Sequence, residues 1–157
     1  MQVRYLLKKC YWILNNNQQY KKGLLVTIKQ LVPYLTVSNA ERAIDFYRDA
    51  LGFVVVKIGR NSHGDINHVE MNAQGVAIMF APEGACSDPS LAPVTTKTEC
   101  AIGLYLYCED VDVLFQQSLE QGAKSRSEPR ERYWGDKMGE IEDLDGYQWY
   151  LLSSPAT

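Results

Sequence analysis

Residues 32–52 read VPYLTVSNAERAIDFYRDALG, and the fold follows from how this stretch is punctuated. Val32 to Val37 is a short apolar run with the look of a strand, and Ser38 interrupts it. Ser38 with Glu41 has the Ser-x-x-Glu form of a capping box, so the spacing predicts a helix over Ala40 to Leu51. Ile44, Tyr47 and Leu51 fall at i, i+3 and i+7 and make one apolar stripe, and Gly52 supplies the left-handed stop.

The same array returns about 71 positions later, which makes an internal repeat the organising feature of the chain. Ile102 to Tyr107 is the strand, Asp110 the N-cap, Val111, Leu114, Phe115 and Leu119 the apolar stripe, and Gly122 the stop. Each helix is followed by three strand-like runs. In the first half these are Val54 to Ile58, Ile66 to Met71 and Val76 to Ala81, with Gly/Asn/Asp turns between them. In the second half they are Ala123 to Ser127, Gly139 to Glu142 and Tyr147 to Leu152, with a longer loop, Glu128 to Met138, after the first. The segment PEGACSDPSLAPVTTKT, rich in Pro, Ser and Thr, joins the halves. The expected class is α+β: two βαβββ modules, residues 30–82 and 100–153, on either side of a linker, 83–99, forming a cupped mixed or antiparallel sheet within a domain spanning 29–153.

The composition, 157 residues with 46% hydrophobic and 22% charged, suits one globular domain with its own core. A net charge of −3 and the lack of any basic run beyond Lys8-Lys9 and Lys21-Lys22 argue against a nucleic-acid surface. Cys10, Cys86, Cys100 and Cys108 show no C-x-x-C spacing, so free thiols in a reducing cytoplasm are expected, with a Cys86–Cys100 disulfide across the linker as the alternative. Residues 1–28 stand apart as an N-terminal extension. Its apolar run is too short and too interrupted for a membrane span or a signal sequence. Leu6, Leu7, Tyr11, Trp12 and Leu14 are too apolar to be left in water, so docking on the domain or on a partner subunit is expected.

The paired βαβββ units, with VSNAERAIDFYRDALGF (37–53), WGDKMGEIEDLDGYQW (134–149) and the helix-capping CEDVD (108–112), resemble the vicinal oxygen chelate superfamily. That group includes glyoxalase I, extradiol dioxygenases and bleomycin-resistance proteins. The resemblance covers residues 30 to 153 and is strongest to the glyoxalase/bleomycin-resistance branch with a Trp-Gly-Asp loop before the last hairpin. Relatives often carry Asp-Pro-Asp-Gly where this chain has Asp143-Leu144-Asp145-Gly146, a softer turn of the same kind.

The resemblance implies that each module curls into half of a cup and that metal-dependent members place one ligand on the first and last strand of each. Those places are Val32, Met79, Gly103 and Tyr150 here. A divalent metal asks for imidazole nitrogen or carboxylate oxygen, which none of the four offers, so no metal and no other cofactor is expected at that site. His68 and Glu70, two apart on one strand face, are the alternative metal pair, and two ligands alone make a weak site. His63 lies in a Gly/Asn/Asp turn and reads as exposed, and Asp136 and Glu142 as surface carboxylates.

A period of two places Tyr34, Met79, Tyr105, Tyr107, Gln148 and Tyr150 on the faces of the vacant positions, with Trp134 and Met138 as a lid from the Trp-Gly-Asp loop. Such a face, aromatic with few polar groups, is that of a small-molecule pocket suited to planar or cationic ligands, or else of a filled core or dimer face. The leading expectation is a cytoplasmic, metal-independent binding protein that sequesters a small organic molecule, as antibiotic-resistance relatives do with a drug. A homodimer is expected because relatives complete their cups across two subunits. The alternative is a lyase or isomerase using a displaced metal or a metal-free acid–base pair, for which His68 and Glu70 are the candidates. A third reading is an interaction module that recruits a partner through residues 1–28.

Overall fold

The computed structural model describes residues 28–154. The extension read at 1–28 therefore lies outside the described residues, apart from the exposed Ile28. Module one runs β1 (Tyr34–Val37), α1 (Ala40–Asp49), β2 (Val54–Arg60), β3 (Ile66–Ala73) and β4 (Val76–Pro82). A 3-10 turn at Ala85–Ser87 and the short helix α2 (Pro93–Thr96) follow. Module two runs β5 (Gly103–Tyr107), α3 (Val111–Glu120), β6 (Lys124–Glu131), β7 (Lys137–Glu142) and β8 (Gln148–Ser153). Each module is a four-stranded mixed sheet, ordered β1-β4-β3-β2 and β5-β8-β7-β6, with one parallel pair (β1/β4, β5/β8) and two antiparallel ones.

Both helices lie on one face of their sheet because their apolar stripes need cover. In α1 the buried set is Ala40, Ala43, Phe46 and Tyr47, packed with Leu35, Val37, Val69, Met71, Ile78 and Phe80 from the sheet. In α3, Val111 and Phe115 are buried with Leu106, Ile141, Trp149 and Leu151. One core unites the modules: the Tyr47 ring lies 5.8 Å from Trp149 and 5.5 Å from Phe80, and Phe53 also meets Trp149.

Helix α1 is capped by Asn39, whose Oδ1 accepts from the Arg42 N–H at 2.8 Å, and not by Ser38 as the Ser-x-x-Glu pattern suggests. Ser38 is engaged across the module boundary: its N–H and its hydroxyl both donate to Asp145 Oδ1. In α3 Asp110 is the N-cap, accepting from the N–H groups of Asp112 and Val113. Cys86 and Cys100 are free thiols, so the linker disulfide is not formed. The long loop expected at Glu128 to Met138 shrinks to a turn at 132–136, since β6 continues to Glu131 and β7 starts at Lys137. The strand expected from Val32 begins at Tyr34.

The Asp143–Gly146 turn ties the modules together. Asp143, 3% exposed, accepts from the Tyr47 hydroxyl (2.8 Å), Trp149 Nε1–H (2.9 Å) and the N–H groups of Asp145 (3.0 Å) and Tyr147 (2.9 Å). Asp145, 1% exposed, takes Ser38 and the Arg42 guanidinium. The Tyr147 hydroxyl accepts from the Thr36 N–H and donates to the Thr36 carbonyl, both at 2.9 Å. It thereby satisfies backbone groups along the outer edge of β1 that no strand pairs. Burial pushes the Tyr147 phenol up to about 12, so it remains a neutral donor. Among the described residues no helix is long and apolar enough to cross a membrane.

Candidate functional site

The faces opposite the helices are open, and strand register arranges their side chains in rows. In module one, Tyr34 pairs with Met79, Met79 with Glu70 and Glu70 with Lys57, so β1, β4, β3 and β2 contribute one row. In module two the corresponding row is Tyr105, Tyr150, Glu140 and Ser127. The two rows are the same structural row under the repeat, and they have diverged in chemistry.

Row two is an aromatic platform. The Tyr105 and Tyr150 rings stack at 4.6 Å and 17°. Gly103 makes this possible, because a Cβ there would overlap Tyr150 Cε2 and come within 3.0 Å of Cδ2. Tyr150, Gln148, Glu140 and Arg126 line a hollow of about 250 Å³ together with Ile141 and Trp149. Glu140 is answered by Arg132 at 2.8 Å, and Arg126 pairs with Glu99 and Glu142. The hollow therefore offers a ring surface beside paired donors and acceptors and no bare charge.

Row one is polar. His68 Nε2 lies 3.1 Å from Glu70 Oε1, which also takes Lys57 at 3.3 Å. The Tyr34 hydroxyl lies 3.4 Å from His68 Nδ1, with the rings roughly parallel at 5.7 Å. The hydrogen bond from His68, then that from Lys57, hold the Glu70 carboxyl below the usual carboxylate range. Burial, with Cys86 and Asp88 nearby, raises the Tyr34 phenol. A smaller hollow beside Tyr34 is lined by Thr36, Asn67, Cys86, Asp88 and Ser90.

Of the residues predicted from sequence, Tyr105, Tyr150 and Gln148 come together, while Tyr34 and Met79 stand with His68 and Glu70 on the other sheet. Among the described hydrogen bonds and ring contacts none joins the two groups. Tyr107 is exposed on the same face of β5, paired with Leu152. Tyr34, Tyr105 and Tyr107 are 56%, 60% and 66% exposed, so these faces are uncovered at the three tyrosines, while Leu152 and Met138 on the module-two face are buried. Trp134 sits in the turn between β6 and β7, donating to Asp136 Oδ2 and set edge-on to Tyr133. Met138 is buried on β7 opposite Leu152 and forms no lid. Val32 lies before β1, and Met79, Gly103 and Tyr150 occupy the other three places implied for metal ligands. His63 is exposed in its turn. Asp136 accepts from Trp134 and Ser154, and Glu142 is held by Lys124. Glu140 and Arg126 escaped the sequence reading, although the repeat places Glu140 on the position of Glu70.

Comparison with known proteins agrees with this architecture. The sequence model of the Glyoxalase/Bleomycin resistance protein/Dioxygenase superfamily matches residues 27–151. An uncharacterized protein of Mycobacterium tuberculosis is 32% identical over 140 residues, covering 86% of this chain and 81% of that protein. Among solved structures, TioX from Micromonospora sp. ML1 superposes with a TM-score of 0.63 at 22% identity, covering 80% of this chain and 98% of that one. A bleomycin-binding protein complexed with bleomycin gives a TM-score of 0.55 at 20% identity over 81% and 99% of the two chains.

Proposed function

Because the chain belongs to the glyoxalase/bleomycin resistance protein/dioxygenase superfamily, we propose that it is a metal-independent binding protein for a small planar organic ligand. The observation that carries this reading is the Tyr105–Tyr150 stack over Gly103. Aromatic rings with an exposed face recognise planar ligands by offset stacking, and their negative faces favour a positively charged one. Arg126, Glu140 and Gln148 around the adjoining hollow supply hydrogen bonds for the polar edge of such a ligand. Val32, Met79, Gly103 and Tyr150 include no imidazole and no carboxylate, which supports binding without a metal. The solved bleomycin complex on the same fold supports sequestration of a drug, and hence antibiotic resistance, as the cellular role.

Each open face is half of an enclosure, and a second copy of the chain in a homodimer would supply the other half. The bareness of Tyr34, Tyr105 and Tyr107 supports this arrangement.

The test combines three measurements. Elemental analysis after soaking with zinc, nickel, manganese and iron should give near-zero metal per chain, and light scattering should give twice the chain mass. Thermal unfolding with a panel of planar cationic drugs, bleomycin included, should show stabilisation that Tyr150→Ala abolishes. Stoichiometric metal, or ligand shifts unchanged in Tyr150→Ala, would refute the reading.

A further inference from the structure

The open face of module one carries a chain of polar groups that ligand stacking in module two does not use. Its directions are fixed by chemistry. Glu70 is ionised and can only accept, so His68 Nε2 carries the proton toward it. In a neutral imidazole Nδ1 is then the bare nitrogen, positioned to accept from the Tyr34 hydroxyl. The carboxylate sets the tautomer and orientation of the imidazole, as an orienting carboxylate does for a general base. The side chains of His68 and Glu70 are about three-quarters shielded, yet they stand on the open face beside Met79. At 3.4 Å the Tyr34–His68 bond is near the outer limit for a hydrogen bond, so a better acceptor can draw the phenol away.

We propose that His68 Nδ1 is a metal-free general base, oriented by Glu70 and paired with Tyr34 as a hydrogen-bond donor, acting on a small carbonyl compound with an acidic C–H. The proton balance closes within the protein. The ligand's carbonyl oxygen takes the Tyr34 O–H, which releases Nδ1. The C–H proton passes to Nδ1, the C–H electron pair becomes the carbon–carbon double bond of the enolate, and the negative charge settles on the oxygen held by Tyr34. The imidazolium formed lies against the Glu70 carboxylate, and Lys57 keeps that carboxylate ionised. Return of the proton to a different carbon, or loss of a leaving group, completes an isomerisation or an elimination. His68 and Tyr34 are the catalytic residues and Glu70 is a positioning residue. This activity stands whether or not module two binds a ligand.

The probe is 5-nitrobenzisoxazole, a planar carbon acid. Removal of its C–H proton breaks the N–O bond and releases a coloured phenolate. Wild-type protein at neutral pH should turn it over about a hundredfold faster than His68→Ala, the usual scale of general-base catalysis. Free imidazole should restore part of the rate to His68→Ala, Tyr34→Phe should cost about a hundredfold, and chelator should change nothing. Long-range nitrogen–proton NMR of the imidazole should show the Nε2–H tautomer in wild type and a mixture of tautomers in Glu70→Ala, which leaves Nε2–H with no acceptor, a readout that destabilisation alone does not produce. Equal rates for wild type and His68→Ala, abolition by chelator, or an Nδ1–H tautomer in wild type would each overturn the proposal.

Discussion

Replacing Asp143 by asparagine should change how stability depends on pH more than it changes stability itself. Asp143 is buried, and burial pushes its carboxyl from 3.8 up to about 6 despite the four donors pointed at it. The folded protein then holds this proton more tightly than the unfolded chain does. Its contribution to stability is full below about pH 4 and is lost as pH rises through 6. A rise from 3.8 to about 6 corresponds to about 3 kcal/mol, at about 1.4 kcal/mol per tenfold, of which about 2 to 3 kcal/mol falls between pH 4 and 7. Asparagine keeps an oxygen for the Asp145 and Tyr147 N–H groups. The Tyr47 hydroxyl can turn to accept from the amide, and the Trp149 Nε1–H is left unpaired, at a cost of about 1–3 kcal/mol at every pH. At pH 4 the variant should therefore be the weaker protein, and by pH 7 the loss of the buried charge should offset most of that deficit. Urea unfolding followed by tryptophan fluorescence at several pH values from 4 to 7 measures the gap directly. Taking the difference between the two proteins cancels other carboxylates, such as Glu70, Asp49 and Asp88, whose lowered values act in the opposite sense. A gap that stays constant over this range would show that the four donors outweigh burial and that the reasoning is wrong.

Other substitutions probe the remaining links. Gly103→Ala should destabilise the fold by about 1–3 kcal/mol because the new Cβ overlaps the Tyr150 ring, and Tyr150→Ala in the same chain should relieve most of that loss in thermal unfolding. Asn39→Ala should cost about 1 kcal/mol in urea unfolding as the cap of α1, whereas Glu41→Ala, the partner named by the apparent capping box, should leave stability nearly unchanged. Alkylation of the native protein followed by peptide mass spectrometry should label Cys86 quickly and Cys108 slowly, since Cys108 is half-buried and burial raises its thiol. A Cys86–Cys100 disulfide peptide would contradict the structure.

Sequence spacing sufficed for the strand–helix–strand order of both modules, because helices and inner strands with one buried face carry their period in the residues themselves. It failed at β6. The strand KSRSEPRE lies at the sheet edge, nearly all of it is exposed, and it contains Pro129, so neither alternation nor β propensity marks it. Ser38 failed for another reason. Its pattern with Glu41 is locally correct, but Asp145, more than a hundred positions away, takes the side chain and leaves the cap to Asn39. The Asp143–Gly146 turn reads as a polar turn, and the distant Tyr47 and Ser38, with the nearby Trp149, make it a buried junction. In the site, Tyr105, Tyr150 and Gln148 were accessible to a period of two. Glu140 was legible through the repeat as the counterpart of Glu70, whereas Arg126 depends on register across β6, β7 and β8, which no local pattern sets.

The repeat also explains why one scaffold carries two chemistries. Both rows keep a tyrosine on the first strand and a glutamate on the third, and they differ at the second strand, Lys57 against Ser127, and at the last, Met79 against Tyr150. The partner positions two residues before those tyrosines differ in the opposite sense, Val32 against Gly103. A ring at 150 needs glycine at 103, because any side chain there would share its space. Valine at 32 goes with an unbranched methionine at 79, whose sulfur and methyl fill gaps without demanding a flat surface. Module two has therefore given its open face to an aromatic stack. In module one the Tyr34 ring has no ring partner at 79 and lies against His68 instead. The imidazole then meets Glu70 on one side and the phenol on the other, whereas in module two the position of His68 is held by Met138 and Glu140 pairs with Arg132. The exchanges Val32 for Gly103, Met79 for Tyr150 and His68 for Met138 thus leave an aromatic stack on one open face and an imidazole–carboxylate pair on the other.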